Sequence, residues 1–268
     1  MGRLSLSRAW EETAAILVRE GGLLAAVALA LIVLPQLLLA VVGIPMGNDA
    51  SFLGRLVYIA AALLGFVAQI AVNRLAIGPP VTVRDAIAQG FVRVAPVFAV
   101  LILLIVGLVL ITIVVVMILG AAGLMALPSA GQTPSPALLL VLVIATALLF
   151  AIFQLIFPLA AVETGNPLRL IARSWQLGRS QYLRLLAFLI VVFFGIALLA
   201  FAGQYGAGSV VVLLFGQPNP GSFSALILGL ILGLIQALFT VTTAVMLARI
   251  YVQLAGRDAH ASVPSSGT

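Results

Sequence analysis

Cysteine and lysine are absent from this chain of 268 residues, histidine occurs once, and charged residues make up only 7%. Without cysteine there are no disulfides, thiolate metal sites or thiol nucleophiles. The lone His260 lies close to the C-terminus, which leaves no histidine–carboxylate cluster for a metal and no Ser-His-Asp set. Glycine-rich phosphate loops lack the strand-to-helix setting they require. No cofactor, metal or catalytic activity is therefore expected. A soluble domain carries about 25% charged residues, so the shortage of charge excludes that class as well.

What is present is hydrophobic. Such residues form 64% of the chain and gather into six runs, at residues 22–43, 56–77, 94–120, 137–162, 185–204 and 224–248. Each has about the 20 residues that a helix needs to cross a roughly 30 Å hydrocarbon core. Continuous rather than alternating hydrophobicity excludes a β-barrel. The expected fold is all-α, a polytopic membrane protein with six transmembrane helices in a single domain over 1–257. A small, polar segment at 258–268 reads as a disordered cytoplasmic tail.

All 13 cationic residues are arginine, and 12 of them fall before the first run, after the sixth, or in alternate gaps between. They are Arg3, Arg8 and Arg19, then Arg74, Arg84 and Arg93, then Arg169, Arg173, Arg179 and Arg184, and finally Arg249 and Arg257. The other gaps hold only Arg55. The positive-inside rule then places both termini in the cytoplasm. Glu11, Glu12 and Glu20 precede the first run, which is also too long for a signal core, so the N-terminus does not read as a cleaved signal. The net charge of +6 belongs to this inner face and suits an anionic leaflet rather than a nucleic acid. Exclusive use of arginine has two readings, codon bias and bidentate phosphate recognition.

Each arginine cluster before an odd-numbered run also carries a helical apolar pattern, which predicts three short amphipathic helices at the cytoplasmic interface. Asn166-Pro167 is a helix start, with Asn as N-cap and Pro at the first turn. Thr82-Val83-Arg84-Asp85 resembles a capping box with Asp in place of Glu. Aromatic anchors Trp10, Phe91 and Trp175 recur at spacings of 81 and 84 residues. Gln69, Gln154 and Gln236 in the even-numbered runs recur at 85 and 82. Both series point to three parallel two-span units, at 1–77, 78–162 and 163–257.

No Asp, Glu, Lys, Arg or His lies near the middle of any run, so a proton relay or ion-coupled pump has no intramembrane group to work with. The polar residues at that depth include Gln36, Gln69, Asn73, Gln154, Gln236 and Thr240, with Thr112, Thr242, Thr243 and Gln204 beside them. They read either as interhelical glue or as a polar path between the helices. Gly229 and Gly233 form a GxxxG match in the sixth run. Pro35 and Pro158 predict kinks in the first and fourth. The outer segment 205–221, apolar and rich in Gly and Pro, reads as a re-entrant loop or a cap on the bundle. Glu163, at the inner end of the fourth run, is expected to form an ion pair with Arg169 or an arginine of a neighbouring interfacial helix.

The stretch from Glu163 through Asn166-Pro167 to Ser174-Trp175-Gln176-Leu177 resembles a bacterial six-span family. It is similar to the membrane domain associated with glycerophosphoryl diester phosphodiesterases and to YciC-like inner-membrane proteins; Leu6-Ser7-Arg8-Ala9-Trp10 and the Pro35-containing first run are similar too. The resemblance implies a bacterial inner-membrane location and a six-span fold. In the fused relatives catalysis belongs to a separate soluble domain, so it implies no reaction here. The leading expectation is a non-enzymatic envelope scaffold, anchor or regulator. Its basic face, built from Arg84, Arg93, Arg169, Arg173, Arg179 and Arg184, would bind anionic lipid head groups or a membrane or cytoplasmic protein partner. The other expectation is a transporter or flippase of a lipid or small amphiphile, using Gln69, Gln154 and Gln236.

Overall fold

The computed structural model describes residues 4–42, 52–77, 81–121, 136–163, 166–219 and 221–261. Its order is α1 (Leu6–Ala28), a π-helical turn (Leu29–Val33), α2 (Leu34–Val42), α3 (Phe52–Ile77), α4 (Val83–Ala121), α5 (Pro136–Phe153) and α6 (Ile156–Val162). There follow α7 (Pro167–Gly178), a 3-10 turn (Arg179–Gln181), α8 (Tyr182–Phe201), a second π-helical segment (Ala202–Ala207), α9 (Gly208–Phe215) and α10 (Phe223–Ala261). No strand occurs among the described residues.

Six stretches are long and apolar enough to cross a membrane: Leu6–Ala40, Phe52–Ile77, Val83–Ile118, Leu142–Val162, Pro167–Phe215 and Phe223–Gly256. They are spans 1 to 6 of an all-α polytopic membrane protein. Contacts tie the arginine clusters to one end. The Ser5 amide donates to Gln253 Oε1 at 3.2 Å, and Arg249 Nε pairs with Glu12 at 2.7 Å. Gln89 Nε2 donates to the Ala161 carbonyl at 2.7 Å, and Arg184 Nη1 donates to that of Leu4.

Glu12 holds this end together, because it accepts from Arg8 at 2.8 Å as well as from Arg249. Its side chain and that of Arg249 are each 23% exposed, so the pair is shielded more than a surface ion pair. Glu12→Gln is expected to cost on the order of 1–2 kcal/mol, between a surface pair and a buried charged hydrogen bond. A lowered thermal midpoint in detergent checks this; an unchanged midpoint refutes it.

Only one of the three expected interfacial helices is a separate element. The first amphipathic segment is continuous with span 1 in α1, and the second with span 3 in α4. Nothing between Leu6 and Ala28 interrupts the helix, and Pro96 sits inside α4 without breaking it. The third, α7, stands apart because a 3-10 turn follows Gly178. Asn166 occupies the N-cap position of α7, but its side chain caps nothing; its carbonyl accepts from Arg169 and Leu170. Thr82 does cap α4, accepting from the Asp85 amide at 3.2 Å. Trp10, Phe91 and Trp175 are 54%, 52% and 53% exposed, which removes all three from the core and leaves their rings for the surroundings.

Pro158 has no N–H for the Gln154 carbonyl four residues before it, and the helix breaks between α5 and α6 at that point. Pro35, in α2, likewise has no N–H for the Leu31 carbonyl one turn before it; Leu31 lies in the π turn, closed where the Leu34 amide reaches back five residues to the Leu29 carbonyl. The segment from Tyr205 neither re-enters nor caps: it continues span 5 as the second π-helical segment and α9. It stops at Gly216, whose φ of 82° suits a residue without Cβ. Helix α10 runs on through Ala261, past the start of the expected tail; 262–268 lie outside the described residues.

Span 2 packs along span 3, span 4 along span 5 and span 6 along span 1, while spans 2, 4 and 6 also meet one another. The packing is uneven along the membrane normal. In the arginine-rich half, Val67, Ala68 and Ile70 to Asn73 of α3 are buried, as are Leu24, Val27 and Ala28 of α1. Val241, Ala244, Val245, Ala248 and Ile250 of α10 complete that core. Past Leu104 in α4 and past Phe188 in α8 no described residue is buried. Burial is dense at the arginine-rich end and thins towards the other, where Leu39, Val211, Ser224 and Ala225 are buried.

Candidate functional site

Spans 1, 2, 5 and 6 line an open-sided cavity of about 820 Å³. That lies within the roughly 300–1,000 Å³ of small-molecule sites. Span 1 contributes Leu31, Ile32, Pro35, Gln36, Leu39 and Ala40. Span 2 contributes Tyr58, Ala61, Ala62, Gly65, Phe66 and Gln69. Span 5 adds Ile196, Leu199, Ala200 and Gln204; span 6 adds Gly229, Leu232, Ile235, Gln236, Phe239 and Thr240. From Tyr58 to Gln69, and from Gly229 to Thr240, the walls run about 17 Å at roughly 1.5 Å per residue.

Local sequence explains each wall. Span 6 approaches span 1 through its glycines: a Cβ on Gly229 would stand 2.6 Å from that of Ala40, and one on Gly233 3.4 Å from Val33. The GxxxG match therefore seats span 6 on span 1. Span 5 touches span 6 at Gly203, where a Cβ would meet Leu232 at 2.8 Å. Both π-helical segments supply lining residues, Leu31 and Ile32 from the first and Gln204 from the second. Such segments widen a helix locally and occur often at functional sites.

The polar lining consists of neutral groups. Among the described residues the carboxamides of Gln36, Gln69 and Gln204 make no hydrogen bond, and Gln236 reaches only Thr240 Oγ1, at 3.5 Å. Thr112 Oγ1 donates to the Leu108 carbonyl and Thr242 Oγ1 to that of Leu238, each at 2.8 Å, whereas the buried Asn73 Oδ1 has no partner among the described residues. An amide without a partner in an apolar medium costs about 1–3 kcal/mol by mutational measures. Gln36, Gln204 and Gln236 are exposed on this wall and Gln69 is partly so, which leaves their amides accessible to an occupant.

The structure brings together Gln36, Gln69, Gln236 and Thr240 and leaves two expected path residues elsewhere. Gln154 Nε2 donates to the carbonyls of Ala151 at 3.0 Å and Leu185 at 3.1 Å, joining spans 4 and 5. Of these two carbonyls only that of Ala151 lies beside the break before Pro158; that of Leu185 belongs to α8 and ties the spans together. Asn73, fully buried, donates to the Gln69 carbonyl at 2.7 Å and lies one turn beyond Gln69, in the packed half. A polar path through all three even-span glutamines is thus absent among the described residues. Tyr58 went unnoticed in sequence; an aromatic with a polar tip near a span end was its only signal.

At the arginine-rich end Glu163 pairs with Arg173 at 3.6 Å rather than with Arg169, one turn earlier on α7. Tyr251 also donates to Glu163, at 3.2 Å, and Arg93 Nη1 donates to its backbone carbonyl at 3.3 Å. No ion pair among the described residues includes Arg169, which is exposed, as are Arg84 and Arg179. Of the six arginines expected on a lipid- or partner-binding face, Arg93, Arg173 and Arg184 are engaged inside the protein. No group of three or more His, Asp or Glu among the described residues could hold a metal. Compared with protein-family models, curated proteins and solved structures, the chain matches none.

Proposed function

We propose that this chain is a non-enzymatic membrane protein that holds a lipid or small amphiphile in the cavity between spans 1, 2, 5 and 6. The observation that carries this reading is the set of carboxamides without partners around an otherwise apolar space. An amphiphile meets both demands, its chain filling the apolar wall and its head bonding to the glutamines. The packed half beyond Gln69 and Thr240 favours uptake and holding over a continuous channel. Translocation would need that core to separate. The test is native mass spectrometry of the full chain in nanodiscs formed directly from cell membranes. A bound amphiphile at about one per chain, surviving delipidation, is expected; a chain stripped bare by mild delipidation would sink the reading.

A second role, as scaffold or anchor, is supported by the exposed Arg84, Arg169 and Arg179. In this reading the arginine-rich end faces the cytoplasm of a bacterial inner membrane, in keeping with the resemblance carried by the Glu163 to Leu177 segment. Each arginine near an anionic leaflet contributes about 1 kcal/mol. Exchanging these three for Glu is expected to remove anionic-lipid adducts and leave the cavity ligand in place. Unchanged adducts would discard the arginine face.

A further inference from the structure

We infer that the cavity selects amphiphiles whose head group is uncharged and hydrogen-bonding (a hydroxyl, ester, amide or ketone) over those carrying a formal charge. The inference rests on the proposed binding role and specifies its ligand. Among the described residues every polar side chain on the cavity wall is neutral: four carboxamides, the Thr240 hydroxyl and the Tyr58 phenol. No Asp, Glu, Lys, Arg or His among the described residues lines it. A charged head drawn to the depth of Gln69 and Gln236 would lose its hydration and find no counter-charge, a cost that hydrogen bonds from neutral amides do not repay in a low dielectric.

Arg55 stands one turn before Tyr58, at the far end of the wall and about 21 Å along the helix from Gln69, and the cations nearest the depth of Gln69 and Gln236 are walled off. Arg74 is five residues beyond Gln69 and Arg249 nine beyond Thr240, about 8 and 14 Å along their helices. Fully buried Ile70, Ala71, Val72 and Asn73 intervene on span 2, and buried Val241, Ala244, Val245 and Ala248 on span 6. Carboxamides suit a neutral head for a second reason. Each offers both donor and acceptor, so together they can satisfy a hydroxyl or an amide, which also carry both. A purely cationic head, such as a quaternary ammonium, accepts nothing and donates nothing, and leaves all the glutamines unpaired.

The test uses the full chain in nanodiscs and three photoreactive amphiphiles with one and the same acyl chain. One carries a glycerol ester, one a sulfonate and one a trimethylammonium head; the last two cannot neutralise themselves by proton transfer. The glycerol ester is expected to label peptides from spans 2 and 6 about tenfold more than either charged probe. Gln69→Leu combined with Gln236→Leu should remove that preference while circular dichroism and elution volume stay unchanged. Gln236→Lys should turn the preference towards the sulfonate. Equal labelling of the cavity by all three probes overturns the head-group selectivity and leaves the binding role standing. Labelling of the cavity by none overturns both. Stronger labelling by a charged probe than by the glycerol ester refutes the selectivity outright.

Discussion

Gly65→Trp is expected to empty the cavity of its amphiphile while leaving the protein folded. Gly65 lines the space, and a Cβ built on it meets no atom within 4 Å. An indole there therefore enters the cavity instead of a neighbouring helix. Filling a void of this kind commonly stabilises by about 0.5–2 kcal/mol, so the thermal midpoint should hold or rise. Gly107→Trp is the control, because Gly107 of α4 has equally open surroundings but does not line the cavity. Native mass spectrometry should find the bound amphiphile in the control and not in Gly65→Trp. A folded Gly65→Trp protein carrying the same ligand at the same stoichiometry would show that the cavity is not where the ligand lies.

Gly90→Leu is expected to do the opposite, preventing accumulation of folded protein. Gly90 sits where α4 crosses α3, and a Cβ on it would lie 2.8 Å from the Val67 carbonyl oxygen and 2.9 Å from Val67 Cγ1. The carbonyl belongs to the most tightly packed part of α3, where Val67 is 1% exposed and Ala68 fully buried. It cannot yield unless the two spans separate. Overpacking of a well-filled core costs about 1–3 kcal/mol, and a whole isobutyl group goes beyond the usual case. Gly90→Ala offers a graded measurement, with a lower thermal midpoint expected. A Gly90→Ala protein as stable as the wild type would mean that spans 2 and 3 do not approach this closely.

These two glycines also show how far the sequence could be read. The six spans and the arginine-rich end follow from hydrophobic length and charge, which depend little on neighbours. Pro35, Pro158 and the Gly229–Gly233 pair announce their effects because each acts through missing backbone or side-chain atoms. Nothing local separates Gly65 from Gly90: one faces a void and the other a carbonyl only because of how spans pack. The even-span glutamines fail for a related reason. Their regular spacing records distance along the chain, whereas lining a cavity depends on rotation about the helix axis. Gln154 bonds to span 5, while Gln69 and Gln236 line one cavity. Similarly, Arg169 and Arg173 share the polar side of α7 in sequence, and one turn of helix decides which reaches Glu163.

The π turn at Leu29–Val33 has a consequence for the length of span 1. Such a turn holds one residue more than the α-helix around it would need, so it behaves as a single-residue insertion absorbed without a loop. Each residue of an α-helix advances the azimuth by about 100°. Deleting one residue between Leu29 and Val33 would restore ordinary helix there and leave Gln36 and Leu39 on the cavity wall, because the turn absorbs that residue without changing the azimuth beyond it. Span 1 can thus lose one residue at this turn and keep the register of its cavity-lining half.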